Sequence, residues 1–172
     1  CSDSSLDKIP QDQISSGTFW TSEKEARLAL TGCYAYIEGG YGNVYNDAST
    51  DNAYGQYPWE STATTIAAGD IDALSVDQGY KSRYTAIRQF NYFLDNVGKT
   101  PMSDDLKKRF IAEARVLRAN TYFELARYFG AVPLITKAYA DPLETALVPT
   151  PEADVIAFVL SELASVADQL PA

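Results

Sequence analysis

The chain has no histidine, one methionine and only two cysteines among its 172 residues. Without histidine there is no Ser-His-Asp or Cys-His catalysis, no His-liganded zinc and no imidazole pH switch. Two cysteines, Cys1 and Cys33, are too few for a disulfide framework. No run of 18 apolar residues occurs, so nothing reads as a transmembrane helix, and no signal-peptide core is present. Positive charge is also scarce. Fourteen Lys and Arg face 23 Asp and Glu, a formal net charge of −9, which makes a nucleic-acid backbone a poor partner. A nucleophile elbow and a phosphate-binding glycine loop are both missing.

What is present is a globular composition, 46% hydrophobic and 22% charged, with enough length for one ordinary domain. Twelve tyrosines stand out. An acidic, tyrosine-rich chain without histidine points to a binding surface more than to a reaction centre. Charge is uneven: residues 1–80 carry 3 basic and 12 acidic side chains, residues 81–140 carry 11 and 5, and residues 141–172 carry 0 and 6. The basic middle falls mostly on one expected helix and reads as a solvated face with intrahelical pairs rather than a ligand patch.

Four segments have helical periodicity. Residues 22–38 open with a capping box, Ser22 and Glu25, and place Ala26, Leu30, Cys33, Tyr34 and Ile37 on one face before Gly39 and Gly40. Cys33, with no basic neighbour, reads as a buried core thiol. Residues 77–97 have Asp77 as the expected N-cap and repeat Tyr80, Tyr84, Ile87, Asn91 and Leu94 at spacings of three and four. Asn91 interrupts that apolar face and, if buried, needs hydrogen-bond partners.

Residues 103–129 form the longest pattern. Ser103 caps it, Asp104 and Asp105 favour its positive end, and Gly130 and Pro133 follow it. Its stripe of Leu106, Phe110, Ala114, Leu117, Thr121, Leu125 and Tyr128, widened by Phe123 and Ala126, predicts contact on more than one side. Residues 151–170 start with Thr150 as cap and Pro151 in the first turn, and bury Val155, Val159, Glu162 or Leu163, Val166 and Leu170. The short link between the second and third helices predicts an antiparallel helix hairpin. Hairpins of this kind resemble tetratricopeptide units, although no clean 34-residue repeat is visible.

Residues 41–76 lack helical periodicity and are too long for a plain linker. Between Tyr34 and Trp59 lie seven aromatic residues, interleaved with amides and carboxylates. Sugar rings offer apolar C–H faces to aromatic side chains and hydroxyl edges to amides and carboxylates. Any one tyrosine here reads as docking the loop on the helices. The cluster as a whole reads as a binding surface, with Trp59 as its main candidate and Tyr54, Tyr57, Asn52 and Gln56 beside it. Asp47, Asp51, Asp70 and Asp72 raise the paired carboxylates of a glycosidase or a calcium site, but spacing alone supports neither, and loop aspartates are mostly turn formers.

The segment from Glu113 through Arg118, Tyr122 and Gly130 to Pro133, reading EARVLRANTYFELARYFGAVPLI, closely resembles the hallmark of the SusD/RagB family, outer-membrane nutrient-binding lipoproteins of Bacteroidetes. Leu6-Asp7-Lys8-Ile9-Pro10, Phe19-Trp20-Thr21, Asp51-Asn52, Tyr84-x-x-Ile87-x-x-x-Asn91 and Pro149-Thr150-Pro151-Glu152 resemble further elements of that family, in order. The resemblance covers essentially the whole chain but only the N-terminal third of a typical member.

It implies an all-α fold of tetratricopeptide-like hairpins with a long irregular insertion between the first and second helices. It implies no catalysis; no cofactor and no metal site is read from the residues. The implied function is capture of glycan at the cell surface and delivery to a SusC-like TonB-dependent transporter. A peptide-binding relative or a purely structural scaffold for the transporter are the alternatives. Arg118 and Glu113 match hallmark positions and read as architecture, holding helices together. Cys1 at the head of a polar run reads as the acylated residue of a processed lipoprotein, or else as the cut edge of a longer chain. The expected organisation is a lipidated arm over residues 1–20 and a helical domain over residues 21–172, at the outer membrane.

Overall fold

In a computed structural model, residues 19–37, 46–57, 63–70, 79–139 and 148–171 are described. Among these residues the chain is helical, with a single isolated bridge between Val132 and Thr150. The helices are α1 (Glu23–Tyr34), a short α2 (Ala63–Ala67), α3 (Tyr80–Val97), α4 (Asp104–Phe129) and α5 (Glu152–Val166), the last running on into a 3₁₀ turn at Ala167–Gln169.

α1 begins where the capping box requires. The Glu25 amide donates to Ser22 Oγ at 3.4 Å, and Glu25 Oε2 accepts from the amides of Ser22 at 2.9 Å and Thr21 at 2.7 Å. The hydrogen bonds from Thr21 are the main reason that the Glu25 carboxyl lies below its ordinary range. Replacing Ser22 with alanine is expected to cost about 1 kcal/mol, read as a lower urea midpoint. An unchanged midpoint would mean that Glu25 alone holds this helix start.

α1 buries Ala26, Leu30 and Cys33, but Tyr34 and Ile37 lie exposed, contrary to the periodicity. The helix ends at Tyr34, so the spacing rule has no hold on Ile37. Tyr34 is at the edge of the buried face, where its hydroxyl donates to Glu113 Oε2 at 2.9 Å. Burial pushes the Cys33 thiol up to about 12, which leaves it an unreactive core group.

α3 and α4 form the expected hairpin. Ser103 Oγ accepts from the Leu106 amide at 3.4 Å to start α4, and Lys107 Nζ donates to the carbonyl of Gly98 just beyond α3. Asp77 lies outside the described residues, and Gly79 occupies the N-cap of α3 with φ of 71°, a left-handed value glycine accepts freely. α4 is the central helix, packed against α1, α3 and α5. That explains its wide stripe.

Around the half of α4 nearer its start, Leu117 and Phe110 pack with Trp20, Leu30, Phe90 and Phe93. Around its end, Tyr122 and Leu125 pack with Ile87, Val132, Val155 and Val159. Phe123 and Tyr128, included in the stripe, remain substantially exposed and belong to neither cluster.

Gly130, at φ of 67°, ends α4 with its amide on the Ala126 carbonyl. Thr150 does not cap α5. Its backbone pairs with Val132, and Pro151 takes the N-cap position. On α5 it is Glu162 that is buried, while Leu163 is exposed.

After Val132 the chain runs extended over α3 and α4, held by side chains rather than by a neighbouring strand. Tyr84 OH donates to the Pro133 carbonyl at 2.8 Å. Tyr122 OH accepts from the Ile135 amide at 2.6 Å and donates to the Ile135 carbonyl at 2.9 Å. Asn91 Nδ2 donates to the carbonyls of Ile135 and Lys137.

Candidate functional site

The irregular stretch is built from short side-chain turns. The hydroxyls of Ser49 and Thr50 donate back to the carbonyls of Asn46 and Asp47, both at 2.8 Å, and the Asn52 amide donates to Thr50 Oγ1. Ser and Thr favour such turns because their hydroxyls offer the backbone an alternative to a helix. Ala48 and Gly55 are buried and anchor the stretch. A β-carbon at Gly55 would come within 3.0 Å of Thr64 Cγ2 on α2, so glycine permits this close approach. The five-residue α2 itself interrupts a stretch that has no helical period.

The candidate residues of this stretch that are described lie on the surface. Tyr54 is 82% exposed and Tyr57 is 40% exposed, with Asn52 and Gln56 also exposed. Gln56 Nε2 donates to Tyr57 OH at 3.2 Å. At 82% exposure the Tyr54 ring does not dock the stretch on the helices. Trp59 and Cys1 lie outside the described residues, as does Asp72. Asp47, Asp51 and Asp70 are exposed, and among the described residues no group of three or more His, Cys, Asp or Glu could hold a metal ion.

Next to this stretch lies an open cleft of about 430 Å³, lined by Tyr36, Asn46, Arg83, Asn120, Glu124 and Arg127 among others. Asn46 ties it to the start of the irregular stretch. Arg127 donates to Glu124 Oε2 at 2.9 Å and to Tyr128 OH at 2.7 Å, while Arg83 approaches Glu124 at 3.8 Å. These polar side chains were not among the candidates drawn from the sequence. Their one sequence signal is the spacing of Asn120, Glu124 and Arg127, which places three polar groups on one helix face.

Arg118, by contrast, faces inward. It donates to Glu162 Oε2 at 2.6 Å and to Asn91 Oδ1 at 2.7 Å, and lies over the Phe158 ring. Arg115 meets the other carboxylate oxygen of Glu162 at 2.6 Å. Arg118 is 7% exposed, so it is architecture. Glu113 likewise joins Arg109 to Tyr34.

The family described as "Starch-binding associating with outer membrane", a SusD-like family, matches residues 6–161. This chain belongs to the SusD family. A SusD-like protein of Formosa agariphila (P25) is 27% identical over 92% of the chain and 33% of that protein, and one of Bacteroides ovatus is 28% identical over 99% and 32%. The SusD chain therefore spans about a third of the length of the curated relatives it matches.

Among solved structures, a SusD-like carbohydrate-binding protein of Bacteroides fragilis superimposes with a TM-score of 0.80 at 30% identity, over 90% of this chain and 33% of that one. A laminarin-binding SusD-like protein gives 0.77 at 25%, over 88% and 35%. The all-α, tetratricopeptide-like architecture is that of the SusD-like structures.

Proposed function

We propose that this SusD chain is part of a glycan-binding protein of the outer membrane, with ligand contacts on the stretch carrying Asn52, Tyr54, Gln56, Tyr57 and Trp59. The observation that carries this reading is the 82% exposure of Tyr54 beside three further polar or aromatic candidates, in a family whose solved members include carbohydrate binders. Exposed rings beside amides suit the two chemistries of a sugar, its apolar face and its hydroxyl edge. Delivery to a SusC-like TonB-dependent transporter, and anchoring by acylation at Cys1, complete the proposal as the resemblance implies them. Catalysis is not part of it.

The peptide-binding alternative has less support. The solved relatives named above are described as binding carbohydrate or laminarin.

Calorimetry of the full-length protein against a panel of oligosaccharides that includes laminarin tests the reading. Trp59→Ala and the Tyr54→Ala, Tyr57→Ala double variant are each expected to weaken glycan binding by about tenfold, the scale of one well-stacked ring. Binding unchanged in both would move the site elsewhere. Silence toward every glycan, together with co-purification of the transporter, would favour the scaffold reading.

A further inference from the structure

The cleft of about 430 Å³ beside Asn46 draws its walls from separate parts of the chain. Asn120, Glu124 and Arg127 line it from α4 at spacings of four and three, so they share one helix face. Arg83 lines it from α3, and the chain just past α1 adds Tyr36. The volume lies within the range of about 300–1,000 Å³ usual for small-molecule sites.

Two of its groups are held in place and still have contacts to offer. Glu124 Oε2 accepts from Arg127 at 2.9 Å, and Arg83 stands 3.8 Å from it. The other oxygen, Oε1, has no partner among the described residues. The Tyr36 ring is 41% exposed, and it meets the buried Phe90 ring edge-on, with centroids 6.3 Å apart. That contact orients the ring without covering it. A carboxylate and a ring already held in place need little further ordering when a ligand binds.

The amides complete the set. Asn46 and Asn120 are exposed, and neither side-chain amide has a partner among the described residues. Asn120 and Glu124 are one turn apart, which leaves about 5–6 Å between their Cβ atoms. An amide, which donates and accepts, therefore stands beside a carboxylate oxygen, which only accepts. Hydroxyl groups do both, so a polyhydroxylated edge fits this pair. A flat ring in the same cleft suits an apolar C–H face. Both chemistries meet in a sugar residue.

We infer that this cleft is a second glycan subsite. Glu124 Oε1 and the Asn46 and Asn120 amides take the hydroxyls of one sugar residue, and Tyr36 takes its apolar face. This rests on the glycan-binding reading above and adds a subsite to it. None of Asn52, Tyr54, Gln56 and Tyr57 lines the cleft.

Calorimetry of the full-length protein with a laminarin oligosaccharide, a maltooligosaccharide and oligogalacturonate tests it. For whichever probe binds, Asn120→Ala and Tyr36→Ala are each expected to lower the affinity about tenfold. Asn120 is exposed on α4 and alanine is the better helix former, so Asn120→Ala is expected to leave the melting temperature no lower. If Tyr36→Ala lowers it by freeing Phe90, Asn120→Ala and Asn46→Ala decide. Binding that both asparagine variants leave unmoved, but that Trp59→Ala weakens, overturns the inference and leaves the glycan reading standing. No binding to any of the three probes overturns both.

Discussion

Glu162→Leu is expected to destabilise the folded chain by about 3–5 kcal/mol, the range for stripping one partner from a buried ion pair. Both Glu162 oxygens are occupied: Arg115 donates to Oε1 from two nitrogens, at 2.6 and 3.1 Å, and Arg118 donates to Oε2 at 2.6 Å. Without the carboxylate, Arg118 is a buried cation with only Asn91, a 3.4 Å approach to the Thr136 carbonyl and the Phe158 ring for company. Its Nε already has no hydrogen-bond partner. Arg115 is more exposed, and water replaces what it loses, so Arg115→Gln is expected to cost about 1 kcal/mol or less. Urea denaturation followed by circular dichroism separates the two. Equal losses would mean that Arg118 relaxes to solvent without penalty and that the cluster holds nothing together.

Acid adds an independent check. Burial pushes the Glu162 carboxyl upward, but hydrogen bonds and charge from Arg115 and Arg118 outweigh it and hold the group below its ordinary 4.5. A carboxylate depressed on folding adds stability above its unfolded pKa and loses it as pH falls through the folded value. The gap between wild type and Glu162→Leu is therefore expected to be widest near neutral pH and to shrink below about pH 4. A gap that stays constant to lower pH would mean that the carboxylate charge contributes nothing.

How much of this was legible depends on the range of each signal. The Ser22 capping box and both ends of α4 are local features, and they stand where the sequence puts them. Periodicity placed either Glu162 or Leu163 inward and could not choose. Hydrophobicity favours Leu163. The choice is made by Arg115 and Arg118, whose distance in sequence hides them from any local pattern. The same limit applies at the site. Tyr54, Tyr57, Asn52 and Gln56 fall together because they are neighbours in one stretch, whereas the cleft that joins Asn46 to Asn120 and Arg127 exists only after α3 and α4 pack. Tyr36, counted among the aromatic residues but not chosen, lines that cleft for the same reason.

Asn91 was expected to need partners if buried, and it has three. Its Nδ2 donates to the carbonyls of Ile135 at 3.0 Å and Lys137 at 3.2 Å, and its Oδ1 accepts from Arg118 at 2.7 Å. Asn91→Leu keeps the branched shape and removes all three. The carbonyl of Ile135 keeps Tyr122 OH, and exposed Lys137 can turn its carbonyl to water. Most of the cost therefore falls on Arg118, and the expected loss is about 2–4 kcal/mol, with a buried charged donor as its main part. Hydrogen exchange at Ile135 and Ala138 is expected to quicken, because the segment keeps Tyr84, Tyr122, Asp95 and the long Arg118 contact to the Thr136 carbonyl but loses both Asn91 bonds. Asn91 and Glu162 also hold the same guanidinium from two sides. Residues that share one charged partner couple, so the loss in the double variant is expected to differ from the sum of the two single losses by about 0.5–3 kcal/mol. Additive losses in that cycle would separate the two contacts and dissolve the view that one arginine ties α3, α4, α5 and the extended segment into a unit.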